Sequence, residues 1–383
     1  MHKLIRLSAE RNMALRLEKK ALCLTKSNNR KGIKMSRFRR SVAIDLGTAS
    51  VLVFINNKGI VLNEPSVIAI DVLSDEILAV GSDAKKLIGR AGGNVSCIMP
   101  MREGVIADFK ATERMLDYFL NKSVKKSLFK PDLLICVPAR STQVEKRAVI
   151  QAAENAGAHR TYLIEEPLAA ALGAGVDITD PKGTMVVDVG GGTSDIAVIS
   201  MGQIIASRSV ESAGRSFDRI IKDMIRSRYG LLIGDTSAEA IKEAADSLGP
   251  EDSFEVKGRN VTNALPAKVY IPVSELKDAL RGEIDKVVEG IKKVLEVTPP
   301  ELASDIFDRE IILTGGASNT IGLKDRIEEK FQIRVKIAEN PQECVIKGTA
   351  KALNWIDSLD ENRNEAMKAK QEEKEAFEKL RRR

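Results

Sequence analysis

Two segments of the sequence place an aspartate just before a glycine turn, a pattern typical of phosphate-binding loops. The first is Asp45-Leu-Gly-Thr, and the second is Asp188-Val-Gly-Gly-Gly-Thr. Glycine permits positive φ and lets backbone N–H groups approach an anion without a Cβ in the way. The threonine that follows adds a hydroxyl donor. Two such loops facing each other would clamp a polyphosphate from both sides.

The aspartates of the two loops cannot donate hydrogen bonds to phosphate, but their oxygens suit a hydrated magnesium ion. A single Gly-Gly-Gly is more often a flexible turn, so the evidence is the pair of loops in register. A third loop at Thr314-Gly-Gly strengthens it. The chain has neither a GxxxxGK[ST] loop nor a GxGxxG fingerprint, which sets aside two other nucleotide-binding folds.

A pair of glutamates lies between the two loops, in Leu163-Ile-Glu-Glu-Pro-Leu-Ala-Ala-Ala. The proline favours the first turn of a helix, where carboxylates are stabilised by the helix dipole. The alternative is that one glutamate orients or deprotonates a water for attack on a γ-phosphate. The residues alone leave both interpretations open.

The elements that must position these loops alternate between strands and helices, which predicts an α/β fold. The second loop unit can be laid over the first, with Asp188 on Asp45 and Thr193 on Thr48, so we expect two similar halves. Strands are predicted at 42–46, 51–55, 133–137, 186–189, 195–199 and 310–314. Helices are predicted at 110–126, 143–155, 167–173 and 275–296.

Composition limits the remaining classes of function. A length of 383 residues favours two domains. Residues 1–40 hold 13 Lys and Arg against two Glu, so the remainder of this +6 chain is mildly acidic, which argues against a general nucleic-acid surface. The four cysteines are widely spaced and there are only two histidines, which argues against a disulfide framework or histidine-based metal catalysis.

Two interpretations of residues 1–34 stay open: an over-long gene start, because Met35 precedes the first strand, or a basic amphipathic arm that binds anionic lipid. The apolar core of a cleaved signal peptide is missing. No apolar run approaches the ~20 residues of a membrane-spanning helix. The charged tail beyond Trp355 is expected to be a solvated helix or disordered.

The glycine loops resemble those of the actin, sugar-kinase and heat-shock-chaperone superfamily, with Leu313-Thr-Gly-Gly similar to its adenosine loop. Further stretches resemble the MreB family of bacterial actin-like proteins, and the resemblance runs from about Ser41 to Trp355. Those stretches are Gly59-Ile-Val-Leu-Asn-Glu-Pro-Ser-Val-Ile-Ala, Pro100-Met-Arg-Glu-Gly-Val-Ile-Ala-Asp-Phe, Ile164-Glu-Glu-Pro and Pro299-Pro-Glu-Leu-Ala-Ser-Asp-Ile.

The resemblance implies an actin-like ATPase fold, with two duplicated RNase H-like lobes around a nucleotide cleft. We expect lobe I at 41–175 plus 340–357, with a small subdomain at about 63–105. Lobe II is expected at 176–339, with a small subdomain at about 215–274. The basic extension 1–40 and the charged tail 358–383 flank them.

The cofactors implied by the resemblance are ATP and Mg²⁺, with Asp45 and Asp188 holding the metal through water. Glu166 matches the catalytic glutamate, and Thr193 matches the threonine that helps to place the attacking water. Glu239 and Lys242 match a helix that touches ribose and adenine. The implied nucleotide-binding residues are Asp45, Gly47, Thr48, Ala49, Ser50, Val51, Asp188, Gly190, Gly191, Gly192, Thr193, Glu239, Ala240, Ile241, Lys242, Gly315, Gly316, Ala317 and Ser318.

The family polymerises into filaments of paired protofilaments on the inner membrane face, organises cell-wall elongation and maintains rod shape. The implied partners are further copies of the chain, the membrane surface and the elongation proteins MreC, MreD and RodZ, with no nucleic acid. Leu128-Phe129, flanked by lysines, matches a loop that inserts into lipid. A core-facing Leu-Phe before Pro131 is the alternative.

Several residues depart from the family pattern and put hydrolysis rate and nucleotide preference in doubt. Ser50 replaces an asparagine, Ser194-Asp195 replaces Thr-Glu, Ala317 replaces a glycine, and Arg215 replaces an acidic residue near the cleft. A positive charge at position 215 would strengthen phosphate attraction or alter turnover. A diverged paralogue acting as a non-hydrolysing scaffold is therefore the main alternative function.

Other members of the superfamily fit the sequence less well. A chaperone ATPase would need a C-terminal peptide-binding domain, whereas a short charged tail follows Trp355 here. A sugar kinase would need a carboxylate base beside a sugar site, and no separate motif for one is found. The stretches similar to the MreB family argue against a plasmid-partitioning filament.

Overall fold

A computed structural model describes residues 40–124, 129–245, 247–249 and 251–354. The expectations for residues 1–39, Leu128 and the tail from 355 onward lie outside the described residues. The described strands are β1 (Ser41–Leu46), β2 (Ser50–Ile55), β3 (Gly59–Pro65), β4 (Ile68–Asp71), β5 (Ile77–Val80), β6 (Val95–Ile98), β7 (Met101–Arg102), β8 (Val105–Ile106), β9 (Asp132–Val137), β10 (Arg160–Glu165), β11 (Thr184–Val189), β12 (Ser194–Ser200), β13 (Gln203–Val210), β14 (Leu231–Leu232), β15 (Ser253–Asn260), β16 (Pro266–Pro272), β17 (Ile311–Thr314) and β18 (Val335–Ile337).

Two five-stranded sheets share one topology, β10-β9-β1-β2-β3 and β18-β17-β11-β12-β13. In each, the first strand pairs antiparallel with the second and parallel with a strand that follows a crossover. Each also has a register shift between its second and third strands. The predicted duplication is confirmed. We call the parts built on these sheets the first lobe and the second lobe.

Smaller sheets extend each lobe. Strands β5-β4-β6 form a three-stranded sheet in the first lobe, and β7 pairs with β8 in a separate two-stranded sheet. Strands β14-β15-β16 form the corresponding sheet of the second lobe. The turns β4–β5 and β15–β16 carry the exposed apolar residues Leu73 and Val261.

Most of the helices pack on the two large sheets, as the alternating sequence pattern predicts, while the helix at Ser82–Leu87 packs on β4, β5 and β6. They are α1 (Ser82–Leu87), α2 (Phe109–Ser123), α3 (Gln143–Asn155), α4 (Glu166–Gly173), α5 (Gly214–Tyr229), α6 (Asp235–Ala245), α7 (Val273–Val297), α8 (Pro300–Asp308) and α9 (Leu323–Phe331), and residues 344–354 are also helical.

Local chemistry explains where several helices begin and end. The Thr142 hydroxyl accepts from the Glu145 N–H while the Glu145 carboxylate accepts from the Thr142 N–H, so α3 begins where it was predicted. Helix α2 ends at Ser123, short of the predicted residue 126, because Val124 adopts φ −99° and ψ 46°. Helix α7 matches the predicted 275–296 to within two residues at either end.

The hydrophobic core has a separate cluster in each lobe and a third that joins them. The joining cluster includes Leu134 and Ile164 from the first sheet, and Val186 and Ile199 from the second. Helix α4 and residues 344–354 lie between the sheets and supply most of its remaining side chains. This packing fixes the carboxyl ends of β1 and β11 beside each other.

Helix α4 and the helical residues 344–354 cross with their backbones in close contact. A Cβ at Gly348 would lie 1.7 Å from the Ala169 carbonyl oxygen, and one at Gly173 would lie 1.7 Å from the Cys344 carbonyl oxygen. Only glycine permits backbones to approach this closely. Because the chain passes between the lobes at these helices, the crossing also sets the relative position of the two loops.

Candidate functional site

Asp45 and Asp188 occupy equivalent positions near the ends of β1 and β11, directly before the two glycine loops. Asp188 lies opposite Asp195 on β12 and Thr314 on β17. The Cys136 thiol donates to Asp45 Oδ1 at 3.2 Å, and the Thr314 hydroxyl donates to Asp188 Oδ1 at 2.8 Å. The fold therefore brings together both aspartates that the sequence singled out.

The two glycine loops face each other and touch. A Cβ at Gly191 would lie 2.5 Å from Ala49 Cβ, and one at Gly192 would lie 2.9 Å from Thr48 Oγ1. The Thr48 hydroxyl accepts from the Gly104 N–H at 2.9 Å. The glycines of the second loop thus leave the first loop room to approach, which explains why side chains are lacking there.

Ser66 makes two hydrogen bonds to backbone carbonyls of the first loop. Its hydroxyl donates to the Gly47 carbonyl at 2.6 Å, and its N–H donates to the Ala49 carbonyl at 2.9 Å. Ser50 begins β2 and is partly buried, while the Val51 side chain is fully buried in the core. Of these two predicted residues, Val51 can offer a ligand only its backbone.

The third loop lies against the second. Gly315 adopts φ +88°, and a Cβ there would lie 2.3 Å from the Val189 carbonyl oxygen. The Ala317 N–H donates to that same carbonyl at 2.9 Å, and the Ser318 hydroxyl donates to the Gly315 carbonyl at 2.8 Å. A Cβ at Gly316 would have only Gln342 Cβ nearby, at 3.9 Å, so its backbone stays open to a ligand.

Four carboxyl groups lie close to the loops, and burial raises the pKa of each. They belong to Asp45, Glu166, Asp188 and Asp195. The pKa of Asp188 is raised to about 7, mainly by removal from water and also by the charges of Asp195 and Asp45, against the Thr314 hydrogen bond. Burial also raises the pKa of Asp45 and of Asp195 to about 6. Such mutual perturbation of acids in a cleft is typical of a functional site.

Glu166 is the fourth of these carboxyl groups and the first residue of α4, with 9% of its surface exposed. Burial, followed by the charges of Asp195, Asp45 and Asp188, raises its pKa well above the usual value. Its neighbour Glu165 instead pairs with Lys146 at 3.5 Å. The environment of Glu166 favours the water-activating interpretation over a helix-dipole carboxylate.

Thr193 and Asp195 close the second loop. Thr193 is 8% exposed, and a side-chain hydrogen bond joins it to Asp195. Asp195 Oδ1 has no hydrogen-bond partner among the described residues. The neighbouring Ser194 hydroxyl donates to the Ser212 carbonyl at 2.5 Å. A buried carboxylate oxygen left unpaired is expensive in a purely structural role, which supports a functional one.

Helix α6 brings two polar side chains to the cleft. Lys242 Nζ is buried between Asp218 Oδ1 at 2.7 Å and the Gly214 carbonyl at 3.2 Å. Glu239 crosses to the first lobe and pairs with Lys85 at 2.5 Å. On the same helix Ile241 packs in the core and the Ala240 side chain is exposed. The nucleotide contacts of these four residues stay a prediction.

The aspartates suit a magnesium ion that keeps most of its waters. Among residues 40–124, 129–245, 247–249 and 251–354, no group of three or more His, Cys, Asp or Glu is arranged to hold a metal. Asp45 and Asp188 form a pair, and each carboxylate accepts one side-chain hydrogen bond, from Cys136 and from Thr314. Mg²⁺ is commonly bound by one or two carboxylates together with phosphate, so the residues fit that ion.

The predicted lipid-inserting pair can be followed only in part. Leu128 lies outside the described residues, and Phe129 is partly buried next to the buried Pro131. In the part of the chain that the structure describes, no helix is both long and apolar enough to cross a bilayer.

Several residues of the site were not predicted from the sequence. The spacing of the cysteines gives Cys136 no role at this site, yet its thiol contacts Asp45. Ser66 and Gly104 carry no motif that links them to the first loop, because the link arises from tertiary folding. Asp195 did carry a signal, since it lies opposite Asp188 once β11 and β12 are paired.

Comparisons with known proteins agree with this geometry. The family model described as MreB/Mbl protein matches residues 39–361. The cell shape-determining protein Mbl of Bacillus subtilis is 47% identical over 326 residues, covering 84% of this chain and 98% of that protein. The cell shape-determining protein MreB of Escherichia coli is 44% identical over 329 residues, covering 84% and 95%.

Solved structures give the same result. The crystal structure of MreB5 of Spiroplasma citri bound to ADP superposes with a TM-score of 0.81 at 34% identity, covering 85% of this chain and 99% of that chain. The MamK double helical filament, at 20% identity and a TM-score of 0.71, shares the fold. Together with the duplicated sheets and the paired loops, these similarities show that the chain has an actin-like fold and belongs to the MreB/Mbl family.

Proposed function

We propose that this chain is a polymerising, actin-like ATPase that maintains rod cell shape. ATP would bind between the two glycine loops, and its hydrolysis would be coupled to filament turnover. The observation that supports this most is the buried Glu166 beside two facing Asp–Gly–Thr loops. The relatives named cell shape-determining proteins, and the MreB5 structures with ADP and AMPPNP, support the same proposal.

Each group of site residues would have its own role in ATP hydrolysis. Backbone N–H groups of Gly191, Gly192 and the first loop would bind phosphate oxygens, and Thr193 would help to position the attacking water. Glu166 would orient that water and accept its proton, a role that suits a buried carboxyl group whose pKa is raised above its usual value. A magnesium ion held by Asp45 and Asp188 would supply positive charge beside the phosphates.

Assembly would follow from the two-lobe arrangement. A nucleotide that contacts both loops favours the closed lobes, and a ligand shifts an equilibrium only through its different affinity for the two states. ATP would therefore favour filament contacts between copies of the chain, and hydrolysis would weaken them. The filaments would lie on the inner membrane face and work with MreC, MreD and RodZ in cell-wall elongation.

Sedimentation with negative-stain microscopy on a lipid monolayer tests this proposal. We expect filaments with ATP and few without nucleotide. Equal filament formation without nucleotide would contradict the coupling of assembly to ATP binding. The absence of filaments on lipid with ATP would contradict polymerisation.

A further inference from the structure

Arg215 makes hydrogen bonds to both glycine loops. Its N–H donates to the Gly191 carbonyl of the second loop at 2.8 Å. Its guanidinium donates to the Thr48 carbonyl of the first loop and, at 3.4 Å, to the Met101 carbonyl. Arg215 belongs to α5 of the second lobe, so the side chain spans the cleft.

The environment of this side chain suits a holding role. Arg215 is half-buried, and burial lowers the pKa of its guanidinium, which still stays charged at neutral pH. Both of its side-chain acceptors are backbone carbonyls, and their positions are fixed by the first lobe. Hydrogen bonds from a charged donor are stronger than neutral ones, and a fork of donors meets two acceptors without rearrangement.

We propose that Arg215 is a latch that holds the two lobes together across the phosphate site before any nucleotide binds. Its backbone fixes the second loop while its guanidinium fixes the first. A side chain without donors at this position would make no hydrogen bond to the Thr48 and Met101 carbonyls, so the lobes would separate more readily.

The latch can be tested by measuring the separation of the lobes in the nucleotide-free chain. Spin labels introduced as non-canonical amino acids at Leu73 and Val261, which are 80% and 47% exposed on the small sheets of the two lobes, report that distance by pulsed electron paramagnetic resonance. Arg215→Met keeps the apolar stem and removes every side-chain donor, while the backbone N–H that bonds Gly191 remains. Arg219→Met, an exposed arginine on the same helix, is the matched control.

Without nucleotide, we expect one short distance for the unsubstituted chain and for Arg219→Met. Losing two charge-assisted hydrogen bonds should raise the open population of Arg215→Met at least about tenfold. Arg215→Lys, with a single ammonium group, should lie between. An Arg215→Met distance distribution equal to that of the unsubstituted chain would overturn the latch. If Arg215→Met does not fold by circular dichroism, Arg215→Leu, which also lacks side-chain donors, takes its place with the same expected result.

A second measurement follows release of a fluorescent ADP derivative into excess ADP. An open cleft should release it faster, so we expect Arg215→Met to show a rate at least about tenfold higher than Arg219→Met. Equal rates would contradict the latch. A chain that binds no nucleotide would instead contradict the proposed function, while the nucleotide-free distance would still decide whether the latch exists.

Discussion

Thr48 of the first glycine loop lies directly against Gly192 of the second. A Cβ at position 192 would be 2.9 Å from both Cγ2 and Oγ1 of Thr48, and 3.1 Å from the Glu103 backbone nitrogen. The two halves of the duplicated fold therefore meet at the residues that the sequence marks for phosphate binding. This contact makes the spacing of the loops sensitive to a single methyl group.

The first prediction concerns that methyl group. Gly192→Ala should push the loops apart, because its closest neighbours include a backbone atom that cannot rotate away. We expect ADP and ATP affinity to fall at least about tenfold, which corresponds to ~1.4 kcal/mol. Fluorescence titration measures this. Gly234→Ala, where an added Cβ meets nothing within 4 Å, is the control, and equal affinities of both variants would argue against the loop contact.

The second prediction concerns the crossing of α4 with residues 344–354. Gly348→Ala would place a Cβ 1.7 Å from the Ala169 carbonyl oxygen, so the helices must separate. We expect a loss of about 3 kcal/mol or more in the free energy of unfolding, measured in urea. Gly282→Ala, in open space on α7, should instead be neutral or stabilising by about 0.5–1 kcal/mol. Equal stability of the two variants would refute the close crossing.

The third prediction concerns the pH dependence of stability. The pKa of Asp188 is about 7 in the folded chain against 3.8 ordinarily, so the native state holds a proton that the unfolded state releases. Stability from this group falls as pH rises between those values. Asp188→Asn removes that loss, and we expect it to raise the free energy of unfolding at pH 8 by about 1–3 kcal/mol without nucleotide.

The gain from Asp188→Asn should vanish near pH 4, and the variant should bind Mg²⁺-ADP more weakly. Asp180→Asn is the control of opposite sign, because hydrogen bonds from Lys182 and Arg309 lower the pKa of Asp180. That variant should be less stable than the unsubstituted chain at pH 8. Thermal unfolding at a series of pH values measures both effects. An Asp188→Asn chain that is less stable than the unsubstituted chain at pH 8 would contradict the raised pKa of Asp188.

The sequence predicted the parts of the fold that depend on local pattern and on repetition. The strand before each loop, helix α3 and the duplicated topology all follow from apolar runs, helical periodicity and the repeated glycine loops. The resemblance to a known family then placed Glu166 and the third loop in one site. The end of α2 was wrong by a few residues, since no glycine or proline marks it.

What could not be predicted depends on tertiary contacts. The hydrogen bonds from Cys136 to Asp45 and from Gly104 to Thr48 join residues 91 and 56 positions apart. The departure at Arg215 was visible in the sequence, but its contacts with the Thr48 and Met101 carbonyls were not. The first two contacts depend on how distant segments of the first lobe pack, and those of Arg215 on how the two lobes meet, which no local pattern records.

The fourth prediction concerns lipid binding. Leu128→Ser with Phe129→Ser should reduce co-sedimentation with anionic liposomes several-fold, because apolar side chains bury area in the bilayer while the neighbouring lysines meet the headgroups. Thermal unfolding of the same variant shows whether the fold is kept. Comparison with a chain that starts at Met35 separates the contribution of the basic extension. Unchanged liposome binding by a folded double variant would contradict lipid insertion by Leu128 and Phe129.

The fifth prediction tests the central claim, hydrolysis assisted by Glu166. The measurement is the rate of phosphate release from ATP by Glu166→Ala, with Glu165→Ala as the matched neighbour that pairs with Lys146 instead. Loss of a general base should slow release about 10²-fold or more, while Glu165→Ala should stay within a few-fold of the unsubstituted chain. A Glu166→Ala chain that releases phosphate at the unsubstituted rate would contradict the account.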